Sequence, residues 1–376
     1  LAETYKAIID RTGINSEEIT EVVAGCGNQG GEDNRDVARM ALLLAGFSEK
    51  VPGITVNRNC SSALDAVNIA AKTILVGEGD ITIGSGVESM SRAPWSMLKP
   101  DRVPTTIPPK MWDTTVGWRF NNPRMDQLYP IISLGEAAEV IAEELQISRK
   151  DQDQYALRSH ERAITAINNG VFKDEIVPIT VNLKRGKSKI VEVDEHPRYE
   201  FRENHYNLAI SIDDLSKLKP AFKADGTVTA GNSSGINDGA AAILLASRDK
   251  ARELGLRPLV KWLGSASAGT DPSHFAYGPI PSTKKLLARF NLKVEDLGLI
   301  ELNEAFASQT IGCMQGLGLS SENVNVNGGA IALGHPTGCS GARILVSLMH
   351  EMKRRAPSMP KSKPFYGLAT LCVGVG

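Results

Sequence analysis

The alternation of apolar and polar positions repeats once at long range. Near the start, Glu18-Ile19-Thr20-Glu21-Val22-Val23-Ala24-Gly25 predicts a helix end followed by a strand. Asp296-Leu297-Gly298-Leu299-Ile300-Glu301-Leu302-Asn303 predicts the same. From Ile19 to Cys60 is 41 positions, and from Leu297 to Cys339 is 42. Each cysteine opens a predicted helix. One follows the strand-like Ile54-Thr55-Val56-Asn57, the other Gly334-His335-Pro336-Thr337-Gly338. Each helix then leads into a glycine-bearing strand, at residues 81–86 and 365–372. Matched spacings predict two α/β halves of one topology, each a sheet covered by helices. The helix after Cys60 is apolar almost all round (Ala63, Leu64, Ala66, Val67, Ile69, Ala70, Ile74, Leu75), which predicts burial between layers.

Between the halves the pattern changes. Residues 91–235 carry Pro94, Pro100, Pro104, Pro108, Pro109, Pro123 and Pro130, then a helical stretch over 136–168, then the basic run Lys184-Arg185-Gly186-Lys187. Proline at this density does not fit regular elements and predicts an inserted loop domain. The basic run reads as a solvated hairpin tip. The expected organisation is an N-terminal half (1–90 plus 236–247), an inserted loop domain (91–235) and a C-terminal half (248–376).

Composition narrows the function. Lys and Arg number 42 against 43 Asp and Glu, a net charge of −1, which argues against nucleic acid as a partner. No apolar run approaches the ~20 residues of a membrane helix. No membrane partner is expected, and the expected location is the cytoplasm. The chain begins at Leu1 without methionine, so a trimmed version of a longer protein is expected. The five cysteines contain no C-x-x-C pair, against both a disulfide framework and a metal site. Cys26 and Cys313 read as small buried hydrophobes. His160, His196, His205 and His350 lie in charged surroundings and read as solvated, and His274 sits in a Gly/Pro-punctuated loop.

Four ordered segments carry candidate chemistry: Asn57-Arg58-Asn59-Cys60-Ser61-Ser62, Asn303-Glu304-Ala305-Phe306-Ala307, Gly328-Gly329-Ala330-Ile331-Ala332-Leu333-Gly334-His335-Pro336, and Cys372-Val373-Gly374-Val375-Gly376. Singly they could be turns and caps. Together with 229–239 they resemble the thiolase family over essentially the whole chain. The resemblance implies a five-layered α/β/α/β/α fold from two duplicated halves with an inserted loop domain. It also implies an acyltransferase that cleaves 3-oxoacyl-CoA with CoA through an acyl-cysteine. CoA and acyl-CoA are then substrates, no bound cofactor or metal is implied, and a homodimer or homotetramer is expected.

Cys60 lies where a strand turns into a helix, whose N-terminal partial positive charge favours the thiolate that attacks a carbonyl. By resemblance, His335 takes its proton and then donates to the thioester oxygen, roles suited to imidazole. Cys372 resembles the second catalytic cysteine, the acid/base at the α-carbon, provided its neighbours lower its pKa. Asn303 resembles the residue that holds a water in the oxyanion hole shared with His335. The N–H groups of Cys60 and Gly374 would form the second hole. Glu304 reads as a holder of local geometry and Cys339 as structural. Ser234 and Phe222 are implied along the pantetheine channel.

Some positions depart from the family pattern. Ser133 and Leu134 stand where acetoacetyl-CoA thiolases carry His-Met, Ala63 replaces a glycine, and Phe275 often corresponds to Met. The strings Gly117-Trp118-Arg119-Phe120-Asn121-Asn122-Pro123 and Val87-Glu88-Ser89-Met90-Ser91-Arg92-Ala93-Pro94 look more like degradative 3-ketoacyl-CoA and 3-oxoadipyl-CoA thiolases. The expected reading is therefore the degradative enzyme, with 3-oxoadipyl-CoA thiolysis and acetoacetyl-CoA condensation as alternatives. An inactive lipid-carrier relative is the non-enzyme alternative; such relatives should lose Cys60, His335 or Cys372.

Overall fold

The computed structural model describes residues 1–100, 108–360 and 362–376, so Pro104 lies outside the described residues. The first half runs α1 (Ala2–Thr12), β1 (Glu21–Gly25), α2 (Val37–Leu44), β2 (Gly53–Val56), α3 (Ser62–Leu75) and β3 (Ile81–Ser89). Short pieces follow: β4 (Trp95–Ser96), β5 (Trp112–Asp113), α4 (Pro123–Leu128), α5 (Leu134–Glu144), α6 (Arg149–Asn168), the hairpins β6 (Ile179–Asn182)/β7 (Ser188–Val191) and β8 (Tyr199–Arg202)/β9 (His205–Leu208), and α7 (Ile212–Ser216). The remainder is β10 (Asp238–Ala246), α8 (Arg248–Glu253), α9 (Pro279–Arg289), β11 (Leu297–Leu302), α10 (Ala307–Leu317), α11 (Ala330–Leu333), α12 (Ser340–Arg355) and β12 (Tyr366–Thr370).

The first sheet has the order β10-β3-β1-β2, with β1 parallel to both neighbours and β10 antiparallel to β3. In the second, β11 and β12 pair in parallel. Apolar faces set the layers. Tyr5 of α1 and Ala38, Ala41 and Leu42 of α2 close over Val22, Ala24, Ile81 and Ile83 of the first sheet. Leu287 of α9 and Cys313 of α10 close over Leu297, Ile300, Leu302 and Leu368 of the second. Between the sheets lie α3, on β1 and β3, and α12, on β11 and β12, packed on each other. Five layers result.

Small residues let the central layer close. A Cβ on Gly25 would collide with the Ala63 backbone, one on Gly84 with Val67, and one on Gly341 with Leu64. The α3 prediction holds for Ala63, Ala66, Val67 and Ala70, which are buried; Leu64 and Ile74 are half-buried, and Ile69 and Leu75 are exposed instead. The sheet and α12 cover only part of the helix circumference. The helical stretch over 136–168 is two helices. Gln146 adopts a left-handed φ of 51°, and Ser148 starts α6 anew through a capping box with Asp151. Pro123 opens α4 at the one helical position where its missing N–H costs nothing. Lys184-Arg185-Gly186-Lys187 forms the exposed tip between β6 and β7.

Candidate active site

β2 ends at Val56, and the chain must turn sharply to enter α3. Asn57 Oδ1 accepts from the Asn59 N–H at 2.8 Å, and Asn59 takes a left-handed φ of 45° that asparagine tolerates. Ser62 Oγ donates to Asn59 O at 2.6 Å and accepts from the Arg58 N–H at 2.9 Å, fixing the first helical turn. Cys60 sits inside this turn, 4 % exposed, against Ile344 and Leu371. The N–H groups of Gly374 and of Cys60 itself face its sulfur and favour the thiolate, but burial outweighs them and the thiol is pushed up to about 11. The helix-terminus expectation of a stabilised thiolate is corrected on this point: desolvation wins in the free protein.

His335 follows α11 and Gly334, whose φ of 97° is left-handed and where a Cβ would strike the Asn237 side chain. The His335 ring is buried. Its Nδ1 lies 2.6 Å from Ser340 Oγ, and Ser340 Oγ lies 2.9 Å from the Pro336 carbonyl. A hydroxyl has one hydrogen, and the carbonyl can only accept it. Nδ1–H therefore donates to Ser340, leaving Nε2 bare, an assignment made from the bonding pattern. Asn303 Nδ2 stands 3.3 Å from that Nε2, while Asn303 Oδ1 is buried without a partner. Burial, with Arg343 secondary, lowers the imidazole pKa to about 4, so the ring is neutral.

Cys372 lies just past β12. It is 1 % exposed in a wall with Ile141, Phe275, Ala276, Ala305 and Phe306. Its thiol is pushed well up, by burial first and then by its neighbours Cys60 and Cys313. The expected lowering is thus reversed in the free protein. Cys60 and Cys372 are close enough to feel each other's charge. Gly374 is tied to the first motif by Asn59 Nδ2, which donates to its carbonyl at 2.9 Å. Asn303 is tied to the strand before Cys372 by its N–H on Thr370 O at 3.0 Å. The fold thus brings Cys60, His335, Asn303, Cys372 and Gly374 onto adjoining loop ends of both halves.

Ser234 and Phe222 reach the same wall from the side. The Ser234 N–H donates to Ala305 O at 3.0 Å. Phe222 stands edge-on to Phe306, centroids 6.1 Å apart, and covers Gly135, where a Cβ would collide with its ring. Cys339 is the N-cap of α12, buried, with its thiol pushed up to about 12. Cys313 donates from Sγ to Ala276 O at 3.1 Å.

Two buried carboxylates carry dense networks: Glu304, read from the sequence as a holder of local geometry, and Glu88, which the sequence did not single out. Glu304 accepts from Tyr155 Oη, Ser159 Oγ, Asn325 Nδ2 and the Ile331 N–H, at 2.7–3.1 Å. It anchors α11 to α6 beside Asn303. Glu88 accepts from the N–H groups of Gly27 (2.8 Å), Asn28 (3.1 Å) and Gly338 (2.7 Å) and from Thr337 Oγ1 (2.7 Å). It joins the first half to the His335 loop. The available signal was the one charged residue within the strand Ile81–Ser89. Cys26, Asp33 and Glu88 converge within metal-ligand range, but the Glu88 oxygens are already filled by these donors. Ser340, which sets the His335 tautomer, was also missed, and its spacing from the histidine gives no signal of its own.

The histidine reading needs a second correction. His160 is buried, its Nδ1 accepts from the Arg198 N–H at 3.3 Å, and burial lowers its pKa to about 4. His196 and His350 are likewise lowered by burial. Charged neighbours in sequence do not make a residue exposed when the helix face that carries it packs inward. A groove of about 2180 Å³ between α1, β10, residues 255–269 and α12 is lined by neither Cys60, His335, Asn303 nor Cys372.

The resting site therefore holds a neutral thiol and a neutral imidazole. Alkylation of Cys60 by iodoacetamide in the free protein should quicken about tenfold per pH unit from pH 7 to 10, without levelling. Peptide mass spectrometry reads this directly. A plateau by pH 8 would instead reveal a preformed thiolate–imidazolium pair.

The family model described as "Thiolase, N-terminal domain" matches residues 1–249, and that described as "Thiolase, C-terminal domain" matches residues 256–376. A "Beta-ketoadipyl-CoA thiolase" of Pseudomonas aeruginosa is 48% identical over 378 residues, covering 100% of this chain and 90% of the relative. A "3-oxoadipyl-CoA/3-oxo-5,6-dehydrosuberyl-CoA thiolase" of Escherichia coli is 46% identical, covering 96% and 87%. Among solved structures, the Bacillus anthracis acetyl-CoA acetyltransferase superposes with a TM-score of 0.88 at 40% identity, covering 100% of this chain and 89% of that one. Matched along both halves and built in the same five layers, the chain belongs to the thiolase family and is an acyltransferase of CoA thioesters.

Proposed function

We propose that this thiolase cleaves 3-oxoadipyl-CoA with CoA into acetyl-CoA and succinyl-CoA. The observation that carries the substrate is the 48% identity, over the whole chain, to a β-ketoadipyl-CoA thiolase. The broader degradative reading expected from the sequence is narrowed accordingly. Ser133 and Leu134, where acetoacetyl-CoA enzymes carry His-Met, weigh against condensation as the main task.

In this reading, Cys60 loses its proton to the bare Nε2 of His335 and attacks the C3 carbonyl. The N–H groups of Cys60 and Gly374, which already face that sulfur, donate to the developing oxyanion. The C2–C3 bond breaks, and Cys372 protonates the departing acetyl-CoA carbanion. His335 Nε2–H and a water on Asn303 hold the thioester oxygen that carries its charge. The proton held on His335 returns to Cys372, and CoA thiol then gives its own proton to His335 Nε2 and attacks acyl-Cys60, whose sulfur leaves with that proton. Ser234 and Phe222 flank the pantetheine path.

The assembly as a homodimer or homotetramer, a cytoplasmic location where CoA is supplied, and the division at 1–90 plus 236–247, 91–235 and 248–376 belong to the same proposal. The pairing of β10 with β3 supports returning 236–247 to the first half. The test is a kcat/KM series with 3-oxoadipyl-CoA, 3-oxohexanoyl-CoA and acetoacetyl-CoA, on protein whose mass is checked by light scattering. At least ~10-fold preference for 3-oxoadipyl-CoA is expected, the scale on which a built polar contact discriminates. Equal or better use of either neutral substrate would overturn the substrate, and a single-chain mass would overturn the assembly.

A further inference from the structure

One guanidinium beside the catalytic loops has no carboxylate partner among the described residues. Arg119 is half-buried, and its Nη2 donates to Asn28 Oδ1 at 2.9 Å. The guanidinium groups that flank the same loops are already paired, Arg58 with Asp65 and Arg92 with Glu32. Nε and Nη1 of Arg119 have no acceptor among the described residues, which leaves two charged donors available to a ligand.

The position of this group follows from its two anchors. On one side Asn28 belongs to the scaffold of Cys60. Its N–H donates to Glu88 Oε1, and the carbonyl of Gly27 accepts from Asn57 Nδ2 at 2.7 Å, three residues before Cys60. On the other side Trp118 Nε1 donates to Ile132 O at 2.8 Å, and Ile132 and Leu134 pack on the wall that holds Cys372. Leu134 also stands against Gly374. Phe120 rests on Trp112 with ring centroids 4.8 Å apart, so the segment is seated by an aromatic contact as well. The segment Trp118-Arg119 thus links the Cys60 scaffold, through Arg119, to the wall that holds Cys372, through Trp118, with the remaining Arg119 donors uncommitted.

We infer that Arg119 is a specificity-determining residue whose guanidinium receives the distal carboxylate of a dicarboxylic 3-oxoacyl group. The inference rests on the substrate proposed above and adds the group that would recognise its anionic end. A guanidinium in a partly desolvated setting binds carboxylate by charge-assisted hydrogen bonds and gains nothing from a methyl group at the same carbon. It therefore separates 3-oxoadipyl-CoA from 3-oxohexanoyl-CoA, which carry carboxylate and methyl respectively at C6.

The experiment compares wild type, Arg119→Ala, Arg119→Gln and Arg119→Lys on these two substrates. Exchange of label between acetyl-CoA and CoA serves as the control, because it needs the folded site but no distal group. Arg119→Ala and Arg119→Gln should lose ~10–10²-fold in kcat/KM on 3-oxoadipyl-CoA, the scale of a lost charged hydrogen bond. On 3-oxohexanoyl-CoA and in the exchange control they should stay within about threefold. Arg119→Lys should recover part of the loss. Equal losses on both substrates, or no loss on either, would overturn the role of Arg119 while leaving the substrate intact. A wild-type preference for 3-oxohexanoyl-CoA would overturn the substrate itself, and the assignment of Arg119 with it.

Discussion

Cys372→Ala should still acetylate Cys60 from acetyl-CoA and exchange labelled CoA, while losing thiolysis and condensation by ~10²–10⁴-fold, the scale of a lost general acid/base. His335→Ala should be poor in both assays. The separation follows from where each group sits. Acyl exchange on Cys60 moves only the thiol proton, which the bare Nε2 of His335 can take; Ser340 holds the other nitrogen. Making or breaking the carbon–carbon bond also needs a proton at the α-carbon. Cys372, beside Cys60 in an apolar wall, is the group placed to move it. Retained thiolysis in Cys372→Ala would end the two-cysteine mechanism, as would an exchange loss as deep as that of His335→Ala.

Glu88→Ala should cost about 3–5 kcal/mol in unfolding free energy, the range for removing one partner of a buried charged network. Four donors converge on this carboxylate, which is 2 % exposed, and three of them are backbone N–H groups that cannot turn to water. The damage should reach activity as well, because Gly338 and Thr337 belong to the loop that presents His335. Thr337→Val, which removes one of the four hydrogen bonds, should cost only about 0.5–1.5 kcal/mol. Denaturant unfolding of the two variants, followed beside the exchange assay, makes the comparison. A cost below about 1 kcal/mol for Glu88→Ala would show that the two halves are joined elsewhere.

The two-half architecture was legible because it rests on local pattern and spacing. Apolar strand runs such as Val22-Val23-Ala24 and Ile81-Thr82-Ile83, and the glycines that admit α3 and α12 to the space between sheets, are written along the chain. The candidate catalytic set was legible for a related reason. Cys60, Asn303, His335 and Cys372 each sit at the end of an element, inside a short motif whose turn residues are specific. What the pattern could not supply was orientation at a distance. The break at Gln146 is one left-handed residue in an otherwise helical run. The burial of His160 depends on which face of α6 meets its neighbours.

The chain by itself determined the layers, the family and the chemistry of the site, because strand and helix periods, turn residues and motif order are local properties. The tertiary structure alone decided how that chemistry is set. It placed Cys60, His335 and Cys372 in surroundings dry enough to keep thiols and imidazole neutral at rest. It also brought Ser340 onto His335, gathered backbone and threonine donors on Glu88, and set Arg119 on Asn28. Desolvation and long-range hydrogen bonds act between residues far apart in sequence, so only the packed fold specifies them.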